Sequence, residues 1–392
     1  MQRRELIPAA LAAGALLTPL AARAAPAPLA ASLRPYLARY NLPALAAAVV
    51  AGGAVIAAGA AGTRRAGADI PVTERDAFGI GSDTKAMTAL LAAIFVEQGK
   101  LGWETTVGAV FPELAATMDA GLKTVTLVQL LSHTSGLPSD NDAFIALITQ
   151  SFAQDGNLDE LRYWLVKQWS TRPLQSPPGS RFAYSNMGYT LVGAILERTA
   201  KSTWEELIVA QVFTPFGFVT AGFGPPASLG RTDAPLNHLV QPDGTLTPML
   251  AGPNGDAPEI IGPAGTVHLS ILEFAAWAGW NAGEGRRGPA LVRADTLRKL
   301  HTPVIAVAAP GAAPGTPAQG GYGLGWGTVK MSCSSEPFIQ HSGSNGMDLA
   351  MVFLQPAHDF AMVMVTNVGG AKADEALRTL AAALYGRFGP AH

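Results

Sequence analysis

Gly79-Ile80-Gly81-Ser82-Asp83-Thr84-Lys85 runs directly into Ala86-Met87-Thr88-Ala89-Leu90-Leu91-Ala92-Ala93-Ile94-Phe95. The second stretch is an apolar run of good helix formers. Glycines lead in, and Ser82, Asp83 and Thr84 are residue types that favour a helix start. Ser82 is therefore expected where a loop becomes a buried helix, with its hydroxyl pointing into a cleft. Lys85 follows three residues on, about 300° around a helix and nearly on the same face. Burial disfavours the charged ammonium and lowers its pKa, which makes such a lysine usable as a base. The first turn of a helix also leaves N–H groups unpaired, that of Ser82 among them.

On either side of this stretch the chain changes character. Upstream, residues 29–40 have helical spacing, and the apolar runs 45–50 and 54–60 flank Ala51-Gly52-Gly53 as a β-hairpin would. The Ser82 helix is expected to end near Gln98-Gly99-Lys100. Residues 101–262 read as helix and loop, with helices over 128–133, 158–169, 189–199 and 204–212. Residues 222–265 are rich in Gly and Pro and suit the rim of a cleft. Helices are expected within 265–282 and 293–300, and a poorly ordered Ala/Pro/Gly loop over 306–321. Strands at 322–328, 337–340, 347–354 and 360–366 form a meander, and a helix over 374–385 closes the chain.

Both ends of the chain thus supply strands and the middle supplies helices. The economical architecture is α/β in the α+β sense: a central antiparallel sheet built from both chain termini, flanked by helices, with a mostly helical inserted region. Residues 25–81 and 265–392 would make the sheet region, residues 82–264 the helical one, and the site would lie at their seam.

Composition narrows the function. Of 392 residues, 48% are hydrophobic and 14% charged, enough for a large core. The formal net charge is −2, and no basic run suggests nucleic acid. Cys333 is the single cysteine, so neither an intramolecular disulfide nor a Cys-based metal site forms. The seven histidines show no metal-ligand spacing, and no Gly-rich nucleotide loop occurs. No metal and no cofactor are expected. No serine has a glycine two residues before it, which excludes Gly-x-Ser-x-Gly and argues against an α/β-hydrolase triad.

The N-terminus reads as an export signal: basic Met1-Gln2-Arg3-Arg4, apolar residues 6–20, then Ala22-Arg23-Ala24 as a cleavage site. Loss of residues 1–24 removes three arginines and one glutamate and takes the formal charge from −2 to −4. A Sec or twin-arginine route to the periplasm or exterior is expected. Pro8, Pro19 and the short length disfavour a membrane anchor.

Two further motifs join Ser82-x-x-Lys85: Tyr184-x-Asn186, and His341-Ser342-Gly343 at a strand end. Their order and spacing carry more than any one of them. At these residues the chain resembles the serine β-lactamase-like superfamily, on the branch of class C β-lactamases, D-alanyl-D-alanine carboxypeptidases and family VIII esterases. The resemblance spans residues 28–390 and includes Leu130-Leu131-Ser132-His133-Thr134-Ser135-Gly136-Leu137 and Pro178-Gly179-Ser180-Arg181-Phe182-Ala183-Tyr184-Ser185-Asn186.

The resemblance implies roles. Ser82 is the acyl-accepting nucleophile, and Lys85 and Tyr184 form the proton-transfer pair. A free phenol has a pKa of about 10 and needs a nearby cation to work as a base near neutrality. The pair is expected to titrate as a unit. Asn186 positions Lys85 and contacts substrate. Gly343 and Ser344 complete the substrate site, with the N–H groups of Ser82 and Ser344 as an oxyanion hole. His341 stands where β-lactamases carry the lysine of Lys-Thr-Gly. With an ordinary pKa of about 6.5, it would make carboxylate recognition weak or pH-dependent. His133, Tyr322 and Trp326 are read as packing residues, and Asp348 as a solvated turn.

The implied protein is an exported serine hydrolase that forms an acyl-enzyme on Ser82 and cleaves small-molecule or peptide esters or amides. It would be a monomer or weak oligomer. Esterase or D-amino-acid peptidase activity ranks above β-lactamase activity because of His341. The alternatives are a β-lactamase, or a penicillin-binding or sensing protein that is acylated without efficient turnover.

Overall fold

The computed structural model describes residues 25–252, 254–308 and 318–390. The export signal and residues 309–317 of the Ala/Pro/Gly loop lie outside them. Among the described residues the main sheet has nine strands. Their spatial order is Ala27–Pro28, Ala54–Gly62, Ala44–Ala51, Phe360–Thr366, Leu349–Gln355, Phe338–Gly343, Gly327–Val329, Gly320–Tyr322 and Ile305–Val307. The N-terminal hairpin is stitched to the C-terminal meander by Ala44–Ala51 against Phe360–Thr366, with Ala47 opposite Met364. Neighbours are antiparallel except at one edge, where Ala27–Pro28 runs parallel to Ala54–Gly62. The sheet is therefore mixed, a small departure from the purely antiparallel expectation.

Successive side chains of a strand point to opposite faces. Ala46, Ala48 and Val50 join the larger core with Phe274, Trp277 and Ala278 of the Ile271–Ala282 helix. Leu45, Ala47 and Val49 join a second core with the Ala30–Tyr40 and Ala371–Phe388 helices. Helices cover both faces, which is why the central strands are apolar throughout rather than alternating.

Three expected elements differ. Residues 322–328 are the ends of two short strands joined by a turn, with Gly325 at φ 81° and the Gly323 N–H bonded to the Trp326 carbonyl at 2.7 Å. Only glycine adopts that conformation freely. Residues 265–282 begin as a strand, Val267–Ser270, before the helix that Ser270 caps. The loop at 306–321 is tied at its ends, where Ile305–Val307 pairs with Gly320–Tyr322. The region between the two halves of the sheet is largely helical but also holds Gly222–Phe223, His238–Val240 and Leu246–Pro248 as short strands.

Thr84–Glu97 is the central helix, buried from Thr84 to Phe95. Ile80 donates to the Val267 carbonyl at 3.0 Å, and the Val267 N–H donates to the Thr84 hydroxyl at 3.1 Å. Thr88 donates to the Pro263 carbonyl at 2.7 Å. These bonds fix the start of the helix against the segment that returns from the helical region. No helix among the described residues is long and apolar enough to cross a membrane.

Candidate active site

Ser82 occupies a single 3-10 turn, Gly81–Asp83, that joins the short strand Ala77–Gly79 to the central helix. The loop-to-helix junction is where the sequence puts it, although no side chain caps this end. Lys85 is fully buried one turn later. Its Nζ lies 3.0 Å from Ser82 Oγ, 2.7 Å from Asn186 Oδ1 and 2.7 Å from the Ala264 carbonyl. The two carbonyl-type oxygens only accept, so they take two amine hydrogens. A neutral amine then has its lone pair left for the Ser82 hydroxyl. Burial lowers the Lys85 pKa to about 7, against the opposing pull of Asp140 and Asp83.

Tyr184 and Asn186 arrive on the N-terminus of the Asn186–Ala200 helix. Ser185 caps it by accepting the Gly188 N–H, and its own N–H donates to His133 Nδ1 at 3.0 Å. The two phrases flanking the motifs meet here. The Ala183 N–H bonds the His133 carbonyl at 2.8 Å, and the Gly179 N–H bonds the Thr134 carbonyl at 2.6 Å. The His133 ring lies 4.3 Å from that of Tyr184, with Tyr189 and Tyr322 around it. Burial among these rings holds the imidazole well below its ordinary pKa, and the Lys85 charge adds to the effect. It is a neutral support, as its helix-end position suggested.

Lys85 Nζ sits 4.8 Å from the centre of the Tyr184 ring. The ammonium face-on to the ring does not release the phenol proton. Burial raises the Tyr184 pKa, the Ser82 hydroxyl beside it lowers it, and Asp83 and Asp140 raise it further. Tyr184 keeps its proton at neutral pH. Of the pair expected to titrate as a unit, Lys85 has its pKa lowered towards neutrality and Tyr184 has its pKa raised.

The third motif closes the arrangement from the sheet. An ideal Cβ on Gly81 would stand 2.4 Å from the Ser344 nitrogen, and one on Gly343 would stand 2.4 Å from the Ser82 nitrogen. The two backbones touch only because both residues are glycine, and Gly81 also has φ 47°. Ser344 donates its hydroxyl to the Asp348 carbonyl, and the Asn345 N–H donates to Asp348 Oδ1 at 2.8 Å.

His341 is buried in Phe338–Gly343. Tyr322 shares a 2.9 Å hydrogen bond with its Nε2, and Nδ1 lies 3.0 Å from the Ser342 carbonyl. A carbonyl only accepts, so Nδ1 carries the hydrogen and Tyr322 is the donor to Nε2. Burial and the Lys85 charge lower its pKa to about 3, despite the Ser342 carbonyl. The switchable cation expected at this position is absent: the imidazole is neutral across the physiological range.

A sequence profile of the Beta-lactamase family matches residues 29–387. The chain belongs to that family. Penicillin-binding protein 4 of Amycolatopsis lactamdurans is 26% identical over 314 residues, 79% of this chain and 77% of that protein. The octameric penicillin-binding protein homologue from Pyrococcus abyssi superposes with a TM-score of 0.73 at 25% identity, covering 91% of this chain and 77% of the other. The D-stereospecific amidohydrolase from Streptomyces sp. superposes with a TM-score of 0.69 at 19% identity, covering 92% and 99%. The chain shares its fold with these proteins, one of which is named as a D-stereospecific amidohydrolase. Within this family frame the seven residues singled out in the sequence come together: Ser82, Lys85, Tyr184 and Asn186 directly, Gly343 and Ser344 through the backbone at Gly81-Ser82, and His341 behind them.

Four carboxylates lie near this family site, and the sequence marks none of them with a role in it. Asp83 is buried between Ser82 and Lys85, with Oδ1 3.4 Å from His341 Nδ1. Its pKa is raised well above the carboxylate range by burial, against Lys85, and further by Asp348. Asp348 is buried, not a solvated turn. Asp256, from the Gly/Pro-rich rim, faces it across Asn345, whose Nδ2 bonds Asp256 Oδ1. Burial raises both pKa values. Asp140, two residues beyond Pro138, accepts from Asn186 Nδ2 at 2.6 Å. No spacing in the chain marks Asp140 or Asp256, because their contacts depend on where two loops fold. No group of His, Cys, Asp or Glu among the described residues is placed to hold a metal.

Proposed function

We propose that this protein is an exported serine hydrolase that cleaves esters or amides through an acyl-enzyme on Ser82. The observation that carries the proposal is the 3.0 Å approach of Lys85 Nζ to Ser82 Oγ, with the lysine pKa lowered to about 7. Neutral Lys85 takes the Ser82 proton as Oγ attacks the carbonyl carbon. The oxyanion forms between the N–H groups of Ser82 and Ser344. Tyr184, still protonated, hands its proton to the leaving group and recovers one from Lys85. Water then enters by the reverse path, with Lys85 again the base, and releases the acyl group.

Neutral His341 favours esterase or amidohydrolase action over β-lactamase action. A buried imidazole with a pKa of about 3 offers no charge to a substrate carboxylate. Export rests on the composition of residues 1–24.

The test is to incubate wild type and Ser82→Ala with a chromogenic ester, a chromogenic cephalosporin and a D-Ala-D-Ala peptide, following turnover and intact mass. Ser82-dependent turnover of the ester or peptide, with slow or no cephalosporin turnover, is expected. A persistent Ser82 adduct without turnover would favour a penicillin-binding or sensing protein. Equal activity in Ser82→Ala would overturn the mechanism.

A further inference from the structure

The helices Leu158–Trp169 and Asn186–Ala200 leave a cavity of about 460 Å³ between them. Asp159 and Tyr163 line it from the first helix, and Ala194, Glu197 and Lys201 from the second, with Phe111 beside them. Residues three and four apart share a helix face, so the cavity is a groove between two facing helices. It is not the Ser82 site. Glu197 stands about 16 Å along the helix axis from Asn186, at 1.5 Å per residue.

Glu197 is only 4% exposed. Its Oε1 accepts from Arg162 Nη1 and from the Trp204 N–H at 2.9 Å. Among the described residues no donor reaches its Oε2. Arg162 has nothing left to give it. Nε and Nη2 are held by the carbonyls of Ile260 and Glu259, each at 2.9 Å, and both Nη groups reach Glu205. One guanidinium therefore answers two carboxylates. From the facing helix, Asp159 Oδ1 is also buried without a donor, and Asp159 makes no ion pair among the described residues. The nearby cations do not fill the gap. Arg198 pairs with Glu113 at 2.9 Å, which also takes the Tyr163 hydroxyl at 2.8 Å. Lys201 is exposed and forms no ion pair among the described residues.

A carboxylate oxygen only accepts, so these two oxygens call for donors, and the unbalanced charge calls for a cation. An ammonium supplies three N–H donors and a guanidinium five. Among the described residues no cluster of His, Cys, Asp or Glu is placed to hold a metal, which leaves an organic cation. Ala194 and the rings of Phe111 and Tyr163 offer apolar surface to a carbon stem. The volume suits a small molecule.

We infer that this cavity is a second binding site, apart from Ser82, for a small organic cation with N–H donors, a primary amine or a guanidine on a short carbon stem, held between Asp159 and Glu197. It does not depend on the proposed Ser82 chemistry.

The experiment titrates the full chain with n-butylamine and n-butylguanidine, following binding by ligand-observed NMR and Tm. Butanol, butyrate, tetramethylammonium chloride and potassium chloride are the comparisons, at matched ionic strength. The two N–H cations should bind saturably and raise Tm, and every comparison should bind at least about tenfold more weakly, the scale of one hydrogen bond to a charged group. Asp159→Asn should weaken the N–H cations by about tenfold. The same change at exposed Asp69 should leave them unaltered. Glu197→Gln should weaken them as well, but it removes a partner of buried Arg162 and can fail to fold. Asp159 has no ion pair to lose, so Asp159→Asn decides. No saturable binding, equal binding of tetramethylammonium or potassium, or an affinity unchanged in Asp159→Asn overturns the inference.

Discussion

Gly343 presses against Ser82 so closely that a methyl group has no room: an ideal Cβ would stand 2.4 Å from the Ser82 nitrogen and 1.9 Å from the Ile80 carbonyl oxygen. Both atoms belong to backbone, which cannot swing aside as a side chain would. The strand end and the start of the central helix are held together by the absence of one side chain.

Gly343→Ala should therefore push the two N–H groups apart. Loss of one oxyanion donor costs about a hundredfold or more in kcat. Overpacking of this kind costs about 1–3 kcal/mol of stability. Acylation rate and urea unfolding of the variant measure the two effects. Unchanged acylation would mean that Ser344 takes no part in the site.

The Lys85 pKa of about 7 sets a direction for pH dependence. Its base form dominates above that value, so kcat/KM on a neutral ester should climb about tenfold per unit below pH 7 and level off above it. His341, lowered to about 3, should add no inflection near 6.5. Arginine holds its proton throughout, so Lys85→Arg should lose about a thousandfold. A flat profile down to pH 5 would count against Lys85 as the base.

Asp256 and Asp348 should make stability fall with rising pH. The Asp256 carboxyl, raised to about 7, keeps its proton in the folded chain where the unfolded chain, near 4, has lost it. The folded state then binds more protons, and stability declines from pH 4 through 7. Asp256→Asn removes this titration and keeps an acceptor for Asn345. Between pH 5 and 8 the wild type should lose on the order of 1–3 kcal/mol more than the variant in urea unfolding. Parallel losses in the two proteins would show that the pair does not titrate in this window.

Much of the site is local and therefore legible. Ser82 and Lys85 share a helix face because of a three-residue spacing, and the apolar run after them can only be a buried helix. The Tyr184 and Asn186 motif and the glycine of the third motif carry recognisable patterns. The hairpin, the meander and the closing helix also follow from short-range apolar periodicity and turn residues. The strand Val267–Ser270 was hidden because it is four residues long and almost wholly buried, which leaves no alternation to read.

What the tertiary structure decided is protonation and proximity. Burial is a property of the packed chain, and burial puts Lys85 near neutrality, keeps the Tyr184 proton and strips His341 of charge. The partners Ala264, Asp140 and Asp256 are distant in sequence or sit in loops without pattern. The sequence by itself determined which groups exist and which helix and strands carry them. Only folding decided how far each lies from water and from the next charge, and those two distances set the chemistry of the site.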